Sequence, residues 1–321
     1  MLYQSDIFCI GNALIDVFAR DEGHLLSSRH GINQPKQHLE IEKLKELVSE
    51  LPKCNPVSGG GAANAAKILG LMGAKASFTG SVGCDPFGEL FEKSLSEAGV
   101  NLNIKKSTSP TGICLYLDDG KGNIRIAAST SASMELCESD INEEGLKNAA
   151  IALIDGFLLH RPGLVHYVLD LAEKNGITIA IDLSSAEIAA GLANGSGILD
   201  NEKHDLILFM NEEEAQAFPN ALSYFQSITC GKKFPIIAVK LGAKGAIIVA
   251  GGEIIHAHTQ AITPKNNIGA GDAFCAAFLY AWLKKKPLRE CAALGNSVAR
   301  IVLEVPGTQV DGSLFKKLAI F

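Results

Sequence analysis

Apolar residues in this chain fall into short continuous runs separated by stretches with helical spacing. Ile7-Phe8-Cys9-Ile10 followed by Gly11-Asn12 is the pattern of a buried strand ending in a turn. A helix is predicted over 40–51, then an Ala-rich helix after Ser58-Gly59-Gly60-Gly61, then a strand over 76–83. Asp85-Pro86 opens a helix that Gly99 ends. From about 150 onward the alternation is regular. Strands are predicted over 151–154, 177–183, 206–210, 236–240 and 246–250, with a helix over 165–174. Helices over 272–283 and 288–303 form most of the rest. Strands separated by helices predict an α/β fold, a doubly wound, mostly parallel sheet with helices on both faces. One segment breaks the rhythm. The β-like runs 111–117 and 123–128 flank Asp118-Asp119-Gly120-Lys121-Gly122, a hairpin signature. They predict a small β-sheet standing off the body as a lid, spanning about 15–40 and 103–128 within a single domain 1–321.

Composition narrows the class. At 321 residues and 47% hydrophobic, the chain can bury a large core. A net charge of −6 argues against a surface built for nucleic acid. The densest basic run, Lys284-Lys285-Lys286, follows a predicted helix and suits its negative end. No apolar run reaches the roughly 20 residues that span a bilayer, so no membrane partner is expected. Met1 to Ala19 carries Asp6 and Asp16 and lacks a basic leader, so no secretory signal is expected. Eight scattered cysteines without a C-x-x-C pair read as reduced thiols of a cytoplasmic protein.

Candidate chemistry gathers at four places. In Asn266-Asn267-Ile268-Gly269-Ala270-Gly271-Asp272, a small-residue turn opens a helix. Backbone N–H groups and the helix dipole can then meet one anion. Asp272 is either a cap or a base beside a phosphate site. Asp16 lies in an apolar run, either facing solvent from a strand or accepting substrate hydroxyls. Gly59, Gly60 and Asn64 suit either tight helix packing or a ligand with vicinal hydroxyls. Neither a Walker loop nor G-x-G-x-x-G after the first strand is present. Asn211-Glu212-Glu213-Glu214 reads as a capped helix start, and becomes functional only beside a phosphate site.

The order of these pieces resembles the pfkB carbohydrate kinase, or ribokinase-like, family. The resemblance runs from Gly11 to about Gly307. Gly269-Ala270-Gly271-Asp272-Ala273-Phe274 carries it best, then Gly59 to Ala66 with Leu69-Gly70, Val82-Gly83 with Asp85 and Phe87-Gly88, and Asn211 with Glu214. It implies an ATP-dependent kinase acting on a primary hydroxyl. Asp272 would be the catalytic base and Gly269, Ala270 and Gly271 the anion hole. Asp16, Gly59, Gly60 and Asn64 would grip the substrate. Asn211, Lys240, Gly242, Gly245 and Asn296 would lie on the ATP side, with Glu214 near Mg2+ through water. A base with an ordinary carboxylate pKa of about 4 suffices, because the alcohol becomes acidic late.

Gly11-Asn12-Ala13-Leu14-Ile15-Asp16 is closer to adenosine kinase-like members, which shades the acceptor towards a ribonucleoside. Two departures stand out. Asn266-Asn267 replaces the usual Asp-Thr, leaving activation by a monovalent cation open, and Asp155 replaces a usual glutamate. The competing reading is a catalytically idle sugar- or nucleoside-binding relative. Expected partners are a small sugar or nucleoside and ATP, with the protein a monomer or homodimer.

Overall fold

The computed structural model describes residues 6–51, 54–195, 204–265, 268–305 and 310–317. In chain order its strands are β1 (Ile7–Ile10), β2 (Leu14–Arg20), β3 (Lys36–His38), β4 (Val57–Gly59), β5 (Ala76–Gly83), β6 (Asn101–Ser107) and β7 (Thr111–Asp118). They continue as β8 (Ile124–Ser131), β9 (Ile151–Asp155), β10 (Thr178–Asp182), β11 (Leu206–Asn211), β12 (Ile236–Lys240), β13 (Ala246–Ala250) and β14 (Glu253–Ala257). Nine of them form one sheet, in the order β14-β13-β12-β11-β10-β9-β1-β5-β6. From β6 to β12 every pairing is parallel, and β13 and β14 join antiparallel at one edge.

Side-chain alternation divides the core into two. Ile7, Cys9, Leu153, Ile207 and Phe209 pack with one set of helices, including Gly61–Leu71, Ala270–Leu283 and Leu288–Leu303. Phe8, Ile10, Ile154, Ile181 and Leu208 pack on the other side, under Pro162–Asn175 and its neighbours. Residues one apart on a strand point to opposite faces, so continuous apolar runs are what a sheet buried on both sides requires. Phe209 meets Phe278 edge-on at 5.3 Å and Phe274 at 6.4 Å. Such ring pairs contribute about 0.5–1.5 kcal/mol beyond area burial, and they fix the 270–283 helix over the sheet.

The other five strands form a small sheet, β3-β8-β7-β2-β4. Its bounds differ from the expected 15–40 and 103–128 in two places. Asn103 to Ser107 belong to β6, which pairs with β5 in the large sheet. Val57–Gly59 joins instead, antiparallel to β2. Val57–Gly59 is too short to show a period, and β6 alternates only through Leu102 and Ile104, too briefly to tell one sheet from the other.

Candidate active site

Every parallel strand of the large sheet points its carboxyl end to the same edge, where α/β sheets gather ligand-binding groups. Asn12 follows β1, Asp155 ends β9, Asp182 ends β10, Asn211 ends β11 and Lys240 ends β12. The Gly61–Leu71 and Ala270–Leu283 helices begin at this edge. Gly60 takes φ +103°, and a side chain there would overlap the Asn12 carbonyl oxygen. The glycine thus lets the helix start against the end of β1.

Gly269 caps the second helix in the left-handed region, at φ 79°, with no side-chain cap. The first-turn N–H groups therefore have no competing acceptor from a cap residue, which suits an anion. Asp272 sits in that turn. Asn64 Nδ2 donates to its Oδ2 at 2.9 Å, so the Asn64 amide is aimed at the candidate base. Burial pushes the Asp272 carboxyl up to about 7, and the Asp182 charge adds to the push. This differs from the ordinary pKa expected from sequence, because the carboxyl shares a low-dielectric pocket with other acids.

Three carboxylates ring a cavity of about 10 Å³, namely Asp155, Asp182 and Asp272, with Ser184 beside them. Asp155 is buried, accepts from Phe157 N at 3.0 Å and from Ser184 Oγ at 3.2 Å, and is pushed up to about 6 chiefly by burial. Asp182 and Ser184 were not foreseen as site residues. The available signal was an apolar strand ending in Asp at both 155 and 182.

Asp16 reaches the site from the small sheet. It is 2% exposed, and burial first, the Asp272 charge second, raise its carboxyl to about 8. A side chain at Gly59 would overlap the Asp16 carboxylate, so that glycine is required by close approach. Cys114 pairs with Asp16 across β2 and β7, and Tyr116 with Phe18. The Phe18 and Tyr116 rings stack at 4.9 Å, beside Asp16 on the same face.

Residues expected on the nucleotide side have definite partners. Asn211 and Glu214 form a closed capping box. Asn211 N and Nδ2 each donate to Glu214 at 2.8 Å, and Glu214 N donates back to Asn211 Oδ1 at 2.8 Å. The capped-helix reading of this cluster is therefore the observed geometry, and Glu214 can still accept from water. Lys240 Nζ lies 2.8 Å from both carboxylate oxygens of Asp182. Its ammonium is committed to that pair. Gly245, at φ 93°, lies so close to the Ala257 carbonyl that a side chain would overlap it, and Asn296 Nδ2 donates to the same oxygen at 2.9 Å. Gly242 begins that turn with φ 56°. Asn266 and Asn267 lie outside the described residues.

The model of the pfkB family carbohydrate kinases matches residues 4–313. This chain belongs to the pfkB carbohydrate kinase family. Its fold superimposes on an adenosine kinase from Sinorhizobium meliloti with a TM-score of 0.86, at 25% identity over 98% of each chain. Among curated pfkB relatives, an uncharacterised sugar kinase of Archaeoglobus fulgidus is 25% identical, over 75% of this chain and 96% of that one. An ATP-dependent ribose-1-phosphate kinase of Halopiger xanaduensis is 27% identical, over 81% of this chain and 85% of that one. The protein is thus a sugar or nucleoside kinase, a phosphotransferase with an alcohol acceptor, and its family membership implies ATP as donor. Among the described residues no helix is long and apolar enough to cross a membrane.

Proposed function

We propose that this pfkB kinase transfers the γ-phosphate of ATP to a primary hydroxyl of a ribonucleoside, with Asp272 as general base. The observation that carries the reading is Asp272 itself, a carboxylate in the first turn of an uncapped helix, hydrogen-bonded to Asn64. The acceptor oxygen loses its proton to Asp272 as it bonds to the γ-phosphorus. The bond from phosphorus to the β–γ bridging oxygen breaks, and ADP leaves. The N–H groups of Gly269, Ala270 and Gly271 would meet charge growing on the transferring phosphoryl oxygens, where one such donor is worth roughly 2.7–4 kcal/mol.

Asp16, Gly59 and Gly60 would hold the ribose hydroxyls, and the small sheet would cover them as a lid. The Phe18–Tyr116 pair beside Asp16 supports a nucleoside, since flat rings suit a stacked base. The likeness to an adenosine kinase points the same way. Asn211, Gly242, Gly245 and Asn296 would border ATP. Magnesium would arrive with the phosphates, and Glu214 is the residue that would hold it through water. Among the described residues no group of three or more His, Cys, Asp or Glu is set to hold a metal. Bound there, the ion would neutralise phosphate charge. An ATP-consuming reaction also suits the cytoplasm, where scattered free cysteines stay reduced.

The test is ATP consumption with magnesium over adenosine, inosine, guanosine, cytidine, ribose, ribose 1-phosphate and fructose. A ribonucleoside should be turned over with at least tenfold higher kcat/KM than any sugar. A sugar leading the panel would overturn the nucleoside reading, and silence throughout would favour an idle binder. With the preferred acceptor, kcat should rise to a plateau as pH passes about 7, since the base works ionised. Asp272→Asn should lower kcat by about 10²–10⁴ and leave MgATP binding within about twofold.

A further inference from the structure

Directly beneath the Gly269–Asp272 turn lies an ion pair that the reaction as written does not use. Lys240 Nζ bonds both oxygens of Asp182 at 2.8 Å, and Cys275 Sγ donates to Asp182 Oδ2 at 3.1 Å. Lys240 Nζ is 3.7 Å from that same sulfur. Cys275 stands one helical turn after Asp272, so both project from one face of the 270–283 helix. A side-chain carbon at Gly271 would lie 3.2 Å from Lys240 Nζ. The ammonium therefore rests against the backbone of the candidate anion hole. Both partners of the pair are mostly buried, with side chains 15% and 16% exposed.

We propose that Lys240 and Asp182 are positioning residues for Asp272, Lys240 offsetting the charge that Asp182 sets beside the base while Asp182 keeps the ammonium under the Gly269–Asp272 turn. The proposal rests on Asp272 being the base. Its physical root is charge crowding. Asp155 from β9, Asp182 from β10 and Asp272 from the helix share one small cavity. Asp16 faces them from the small sheet, its own carboxyl raised in part by the Asp272 charge, and Glu214 acts on Lys240 from beyond β11. Asn64 donates to Asp272 from the 61–71 helix. Among the described residues Lys240 is a cation that acts on Asp272, and Asp182 fixes where its ammonium points.

Like charges at this range oppose ionisation, and an opposite charge favours it. Asp182 therefore works against ionised Asp272, whereas Lys240 works for it. The pair has opposite-signed effects on one group, which a loss of packing in either variant would not produce. Lys240 is a positioning residue in this account. It acts on ATP only through the turn.

The deciding measurement is the titration of Asp272 by carbon NMR of the full chain labelled at aspartate carboxyl carbons, with Asp272→Asn identifying the resonance. Lys240→Met should move the midpoint up by about one pH unit, and Asp182→Asn should move it down by about as much. One unit is a tenfold change in the ionised fraction at a pH below both midpoints. The double variant, with neither charge, should return close to the native midpoint. MgATP affinity of each variant should stay within about threefold. A midpoint unmoved in both single variants, or moved in one direction by both, would overturn the proposal. So would a loss confined to MgATP affinity, which would make Lys240 a phosphate ligand. Should Lys240→Met leave Asp182 unpaired and fail to fold, Asp182→Asn alone still decides by its sign. The titration needs no acceptor, so it stands apart from the assignment of the base. Turnover retained in Asp272→Asn would sink that assignment and the positioning role with it, while the opposite shifts of the titration would stand as a separate result.

Discussion

Asp16 is a carboxyl removed from water with no ion-pair partner among the described residues, and its nearest packing demand is met by a glycine. A buried acid of this kind is expensive unless a ligand uses it. Asp16→Ala should therefore raise KM for the acceptor by at least about tenfold and leave KM for ATP within about twofold. Steady-state kinetics with each substrate varied in turn checks this, and equal effects on both would count against the hydroxyl grip. Asp16 and Asp272 were legible in the sequence because each is a charge in an apolar or glycine-rich setting. Asp182 and Lys240 were not legible as a pair. Each reads as the polar end of a buried strand, and nothing local says that the two ends meet.

The helices that open from glycine turns were legible because their chemistry is local. Gly60 carries the entry of the 61–71 helix in a backbone region that side chains avoid. Gly60→Ala should destabilise the fold by about 1–3 kcal/mol through strain alone, with the overlap at the Asn12 carbonyl added to it. Urea denaturation of the chain measures the loss, and a variant as stable as wild type would refute the role of that φ. The strand β6 was hidden for the opposite reason. Leu102 and Ile104 alone carry its apolar alternation, among Asn101, Asn103, Lys105 and Lys106, and it is held by register with β5 from Ser77 to Gly83. A charged edge strand is a device against further pairing, so its polarity follows from its place at the sheet margin. Such a place is set by tertiary context, not by local pattern.

Across the whole molecule, three buried acids give stability an unusual pH slope. Asp155, Asp272 and Asp16 are raised to about 6, 7 and 8 in the folded state. Groups raised in this way bind protons in the fold that the unfolded chain has already released. What they contribute is present at low pH and lost as pH rises through 6 to 8. Acids held low, such as Asp119 at about 2, are already ionised in both states there and leave the slope unchanged. The melting temperature should thus fall between pH 5 and pH 9, by on the order of 2–4 °C for each kcal/mol lost, and Asp16→Asn should flatten the fall. Scanning calorimetry across that range would expose a flat or rising profile. The α/β class was legible from the strand–helix rhythm, but the weave of the two sheets was not. The chain passes between large and small sheet four times, from β1 to β2, β4 to β5, β6 to β7 and β8 to β9. The small sheet's central pairing, Leu14 with Gly112, joins distant parts of the chain. Any continuous fragment that contains that sheet also carries β5 and β6 of the large one, so the small sheet cannot be cut out or grafted by itself.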